Sequence, residues 1–427
     1  MCDENWVEPG WSKQLRRRPV VRSVAVISPT PTEGFDNKAE DCSLVGKMNR
    51  IVSADPGGRT DLFALFDDGY GGKKGIHAMK LYWNKCFGLP FTCNVADAPK
   101  TAQFNGPHGI AIDSNNNLYV SDMRNNAIRK ITPMGIVSTF AKLDGSPAGI
   151  VVTQSGTVFA CDYGKNVIYR ISPAGTATIF AGNGNITRKD GTGTAASFAK
   201  PAGLAIGLDG TLYVADTANH SVRRISQTGV VETMAGGDKK GCEDGGKGTA
   251  SLNLPAGITV DAGGNVYVSE IGNNYIRRIT PGGEVSTVAG LEKGGIVKKS
   301  TQCGVGGGSA GGGTWKDGRG REAAFDAPLG LGMSAGGILY IADTYNQRIR
   351  KMTPDTMVTT LAGNSESGRK DGVGPDASFY RPSGLAVDSQ GNIFVADQFN
   401  NSIRRITPGG VVTTFAGSGS AGLVDSY

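Results

Sequence analysis

One block of sequence returns six times, and a chain made of such copies folds as an array of alike units. Its clearest form is Pro201-Ala-Gly-Leu-Ala-Ile-Gly-Leu-Asp-Gly-Thr-Leu-Tyr-Val-Ala-Asp216. Other copies begin at Pro107, Pro147, Pro255, Pro328 and Pro382, so the starts are 40, 54, 54, 73 and 54 residues apart. The 73 is the regular unit with an insertion, residues 291–313, that holds the glycine run Gly304 to Gly313. The 40 is a unit without its terminal loop, since Phe140 runs through Asp144-Gly145 directly to Pro147.

Each unit carries four short β patterns. In the copy at Pro201 they are Leu204-Ala-Ile, Leu212-Tyr-Val-Ala, Ser221-Val-Arg-Arg-Ile and Val230-Val-Glu-Thr-Met. Asp-Gly or Gly-Asn turns separate the first two, and Thr-Pro-Gly-Gly or a variant separates the last two. No stretch holds a helical period over three turns. Four antiparallel strands in such a unit make one blade of a β-propeller, in which radial stacking buries both faces of each sheet. The expected fold is therefore an all-β propeller of four-stranded antiparallel blades, six of them in residues 107–427. A degenerate seventh is expected over 46–106, with strands near Met48, Leu62 to Asp67, Ile76 to Tyr82 and Leu89 to Val95. Residues 1–18 read as a tail. Residues 19–45 read as a linker whose strand, Val20 to Val26, would clasp the ring and cover a free edge.

Three sub-motifs recur at fixed offsets over residues 107–417: Pro-x-Gly-[Ile/Leu]-Ala-[Ile/Val]-Asp, then [Leu/Ile]-[Tyr/Phe]-Val-Ala-Asp, then Asn-x-x-[Ile/Val]-Arg-[Arg/Lys]-Ile. Together they resemble the NHL repeat. The resemblance implies an NHL-type propeller, a fold whose members serve as protein-binding platforms, RNA readers, sensor ectodomains or, in a few relatives, metal-dependent enzymes. Fold alone does not choose among these. Departures are visible: Lys165 and Tyr169 replace the expected Asn and Arg, Glu270 replaces Asp, and the copy at 46–106 lacks Pro-x-Gly.

The recurring polar residues read as scaffold. Asp122, Asp216, Asp343 and Asp397 end second strands, and Arg129, Arg223, Arg350 and Arg404 follow seven residues later. A reactive centre is needed once, whereas this pair returns in nearly every unit. The Asp-Gly loops at 190, 244, 317 and 371 offer too few oxygen donors for calcium, and glycine there suits a tight turn.

Little points to chemistry. The three histidines, His77, His108 and His220, are scattered, and a catalytic zinc normally takes three converging ligands. The seven cysteines show no Cys-x-x-Cys spacing, and Cys86 and Cys93 read either as a local bridge or as free thiols. No phosphate loop, nucleophile elbow or His-Glu-x-x-His is present. A net charge of +6 is mild, and no apolar run approaches a membrane helix. The reading is thus a non-enzymatic scaffold or assembly subunit, without cofactor, metal or membrane insertion, that binds another protein through its loop face. Trp315, Lys316, Arg319, Lys239, Lys240 and His108 are the candidate contacts. A hydrolase or lyase with a channel metal, and single-stranded RNA binding on the basic loops, are the alternatives.

Overall fold

The computed structural model describes residues 48–53, 61–67, 76–82, 101–237, 239–291 and 314–426, the first three stretches by their backbone. Met48–Ser53, Asp61–Asp67 and Ile76–Tyr82 form a three-stranded antiparallel sheet in that order. They coincide with three strands expected of the degenerate copy. Its fourth, at 89–95, the clasp strand at 20–26 and the Cys86–Cys93 pair lie outside the described residues.

Residues 98–426 form their own unit. In it each repeat is one blade, and the blades start, innermost strand first, at Pro107–Ile112, Pro147–Val152, Pro201–Ile206, Pro255–Val260, Pro328–Met333 and Pro382–Val387. Within blade 3, Pro201 pairs with Asp216, Asp216 with Ser221, and Ser221 with Gly236. That register puts the start of the innermost strand, the hairpin between second and third strands, and the interblade linkers on one face.

Six buried clusters lie in this ring, and each is shared by two consecutive blades. One joins the last blade to the first: Phe394, Ala396 and Ile403 pack with Ile110, Leu118 and Val120. The ring therefore closes with six blades, and the expected seventh is not among them. At roughly 1.5–3 kcal/mol for each large apolar side chain buried, these seams supply the bulk of the driving force for stacking.

The glycine of Pro-x-Gly sets how tightly the hub closes. A Cβ at Gly109, Gly149, Gly203, Gly257, Gly330 or Gly384 would fall within 3.0 Å of backbone in the next blade's innermost strand. For Gly384 the obstacle is His108 of blade 1, so the sixth seam has the same contact as the other five.

The carboxyl-terminal segment makes the closure. Residues 418–426 run along blade 1, where the Ser418 N–H donates to Ala102 (2.8 Å), Gly422 to Phe104 (3.0 Å), Gln103 to Val424 (3.0 Å) and Ser426 to Val137 (3.0 Å). Among the described residues no helix is long and apolar enough to cross a membrane.

Gly203→Ala must push a methyl into the Ala256 carbonyl and should cost roughly 2–3 kcal/mol in denaturant unfolding. Gly336→Ala, where the nearest atom is the Ser334 hydroxyl at 3.9 Å, should stay within about 0.5 kcal/mol of wild type.

Candidate functional site

The loop face is built on a bonded arginine repeated in five blades. In blade 3 the Arg223 side chain is fully buried. One terminal nitrogen donates to Asp216 (2.8 Å) and the Ser197 carbonyl (3.0 Å). The other donates to Asp190 (2.6 Å) and the Lys189 carbonyl (2.9 Å) in the linker. Its Nε finds no acceptor, and the guanidinium lies 5.3 Å from the Phe198 ring centre. Arg129, Arg277, Arg350 and Arg404 repeat these hydrogen bonds, with inner carboxylates Asp122, Glu270, Asp343 and Asp397 at 2.8–3.0 Å. Burial pushes the Asp216 carboxyl upward against the opposing pull of Asn219 and Arg223. These groups are committed to holding linker, hairpin and blade together.

A second repeated bond joins neighbouring blades. The hairpin after each second strand ends in a left-handed residue, such as His220 (φ 50°), Gln347 (φ 55°) or Asn401 (φ 46°). At five of the six seams the side chain of that residue accepts the N–H before the next blade's proline, among them Leu254 to His220 Nδ1 (3.1 Å), Arg381 to Gln347 (2.6 Å) and Gly106 to Asn401 (3.0 Å). At the sixth, the Ser146 N–H before Pro147 donates to Asp162. His220 is therefore a strap between blades 3 and 4.

Arg381 itself has φ 52°, and its guanidinium lies between two rings, 4.7 Å from Tyr345 and 5.0 Å from Phe399. Arg124 covers Phe399 at 5.4 Å, and Tyr380 meets Phe399 at 5.1 Å between centres. Blades 5, 6 and 1 thus present a continuous row of alternating guanidinium and aromatic groups. Tyr380 is 38% and Phe399 37% exposed. Neither Arg124 nor Arg381 has a carboxylate partner among the described residues.

The candidates read from sequence do not gather at one point. Trp315 is 43% exposed and stacks on Arg348, whose guanidinium lies 3.7 Å from its ring centre. Lys316, beside it, gives its carbonyl to Arg350 (2.8 Å). Arg319 pairs with Asp355 at 2.7 Å. Lys239 and Lys240 are exposed on the linker into blade 4.

His108 sits in the innermost strand of blade 1, on the wall of a central cavity of about 60 Å³ lined by the hub glycines, Ser383 and nine aliphatic residues. Desolvation lowers its imidazole to about 4, opposed by a hydrogen bond to the Ala148 backbone, so it is neutral near pH 7. That volume admits a few waters. Among the described residues no three His, Cys, Asp or Glu side chains converge as metal ligands. Cys161 is a buried free thiol pushed up to about 12 by desolvation, and Cys242 is disulfide-bonded.

The guanidinium and aromatic row was missed from sequence. Its signal was a departure at one repeat position: Arg124, Tyr345 and Phe399 stand in the hairpin where other copies have Ala218 and Gly272.

The NHL repeat profile matches residues 104–131, 198–225 and 379–404, on blades 1, 3 and 6. The chain carries NHL repeats. This NHL propeller is similar to the chloroplastic protein SUPPRESSOR OF QUENCHING 1 of Arabidopsis thaliana, 32% identical over 272 residues, 51% of this chain and 26% of that protein. Human NHL repeat-containing protein 2 is 28% identical over 270 residues, 57% of this chain and 36% of that protein. The chain thus spans between a quarter and two fifths of these relatives' lengths. Among solved structures, a structural genomics protein of unknown function from Bacteroides thetaiotaomicron superposes with a TM-score of 0.55 at 23% identity, over 71% of this chain and 70% of that one. It shares the fold.

One buried group of this NHL propeller should respond to pH. Asp326 is 1% exposed, its Oδ2 has no partner, and desolvation together with the Asp343 charge raises its carboxyl to about 6. Its folded-state affinity for a proton exceeds the unfolded one, so stability falls as pH rises from about 4 to 6. Asp326→Asn, the residue type at the matching Asn105 and Asn253, should gain about 1–2 kcal/mol at pH 7.5. The gain should fade toward pH 4 in denaturant unfolding.

Proposed function

We propose that this NHL propeller is a non-enzymatic binding module that docks another protein through its loop face. The observation that carries the reading is the row Arg124, Phe399, Arg381 and Tyr345, with Tyr380 packed beside it. Protein interfaces concentrate their energy in aromatic and arginine side chains held rigid before contact. Here the rings and guanidiniums brace one another, so little side-chain freedom is left to lose on docking. Arg124 and Arg381 carry charge that no carboxylate of the described chain answers, which favours an acidic partner surface. The half-exposed Trp315, braced by Arg348, extends the same kind of surface to the linker of blade 5.

A second reading rests on the same row: alternating guanidinium and ring planes also suit the stacking of single-stranded RNA bases.

The test is cross-linked capture from native cells with wild type and with Phe399→Ala/Arg381→Ala, both checked for an unchanged melting temperature. The double variant should lose at least about tenfold of its captured partner. Capture unchanged by the variant would overturn the reading, and tight salt-sensitive binding of RNA homopolymers would favour the second one.

A further inference from the structure

The six blades are natural controls for one another, and blade 2 differs from the rest at its outer edge. In the other five, a segment of the chain lies along the fourth strand and pairs with it through backbone. Gly191 pairs with Val231, Gly245 with Val285, Gly318 with Val358, Gly372 with Val412, and the Ser426 N–H donates to Val137. Before each stands an aspartate, which the buried arginine holds from one side and a fourth-strand threonine from the other. In blade 3 these are Asp190, Arg223 and Thr233, and in blade 6 Asp371, Arg404 and Thr414.

Blade 2 lacks the paired segment, the arginine and the threonine of this arrangement. The linker ahead of it, residues 143–146, passes directly from blade 1, and nothing among the described residues pairs along the outside of Ala177–Ala181. Ala177 is half-buried where the matching Val231 and Val412 are 1% exposed. Ile179, 49% exposed, replaces the threonine. Opposite it in the ladder, Tyr169 replaces the arginine and donates instead to Asp144 (2.5 Å).

The direction of the free groups follows from the occupied edges. The Val285 N–H donates outward to Gly245, and the Thr360 and Thr414 N–H groups donate outward to Asp317 and Asp371. The matching N–H groups of Ala177 and Ile179 therefore face away from the sheet, as a template for a further strand.

We propose that this edge docks an extended segment of another protein, which adds a strand beside Ala177–Ala181. The occupied edges specify its chemistry: a glycine or serine opposite Ala177, as Gly191 and Ser426 stand elsewhere. The residue before it is apolar. An acid there would meet Ile179 and Tyr169 in place of threonine and arginine, and would be desolvated without a partner. This surface is separate from the loop-face row, so either reading can fail while the other stands.

The probes are two synthetic octapeptides with the sequence of residues 187–194, one native and one carrying Asp190→Val, added at about 1 mM to the full chain. Amide hydrogen exchange is the readout. Without peptide, Ala177 and Ile179 should exchange faster than Val231 and Thr233. The valine peptide should slow them by about fivefold and the native peptide should not. Ile179→Lys should abolish that protection, and Ile179→Thr/Tyr169→Arg should turn the preference to the native peptide. Slow exchange at Ala177 and Ile179 in the free chain would overturn the proposal. So would absence of protection by the valine peptide, or protection that appears with dimerisation at high protein concentration and without peptide.

Discussion

The arginine that grips two carboxylates and two carbonyls is the interaction on which the rest depends. A propeller blade is a small twisted sheet whose faces are apolar, and stacking alone leaves its loops and linkers free. The buried Arg223 ties three separate stretches together: the end of the second strand, the linker at Lys189-Asp190, and the segment at Ser197 that leads into the innermost strand of its own blade. A guanidinium suits this because its flat fork satisfies four acceptors at once while its face covers Phe198. Desolvating a charge in this way is costly unless every partner is present. That condition makes the arrangement an all-or-none test of correct blade assembly.

The exception supports the same account. In blade 2 the linker is cut to four residues, so the acceptors that the arginine would hold are missing. Tyr169 stands in its place and needs only Asp144. The carboxylate that the arginine would have met, Asp162, keeps one oxygen without a partner. Sequence change, linker length and an outer edge left unpaired among the described residues are thus three views of one shortened linker. At the seam between blades 6 and 1 the opposite happens: Val424 and Asp425 complete the grip on Arg129 at 2.8 and 2.7 Å, although they lie at the far end of the chain.

Much of this was legible beforehand. The period, the four strands per unit and the pairing of each aspartate with the arginine seven residues on follow from local pattern, because each repeat solves the same packing problem. The number of blades did not follow. Residues 48–82 show the same strand rhythm, but closure is decided by how Gly384 seats against His108, a contact between distant positions. The role of Val424-Asp425-Ser426 was hidden for the same reason, since it matches Lys189-Asp190-Gly191 only once the ring is closed. The loop-face row escaped because Arg124, Tyr345 and Phe399 belong to three blades and meet only in space. Arg319 pairs with Asp355 in a turn of blade 5 and Lys316 lends its carbonyl to Arg350, contacts that their sequence neighbourhood gave no means of seeing.

The measurement that bears most directly on this account is a double-mutant cycle at Arg223 and Asp216, using Arg223→Met, Asp216→Asn and the pair, read by equilibrium unfolding in denaturant. Each single change is predicted to cost about 3–5 kcal/mol, with a coupling of at least about 2 kcal/mol between them. Single changes that leave stability unaltered, with coupling near zero, would contradict it and leave apolar stacking as the sole agent holding the ring.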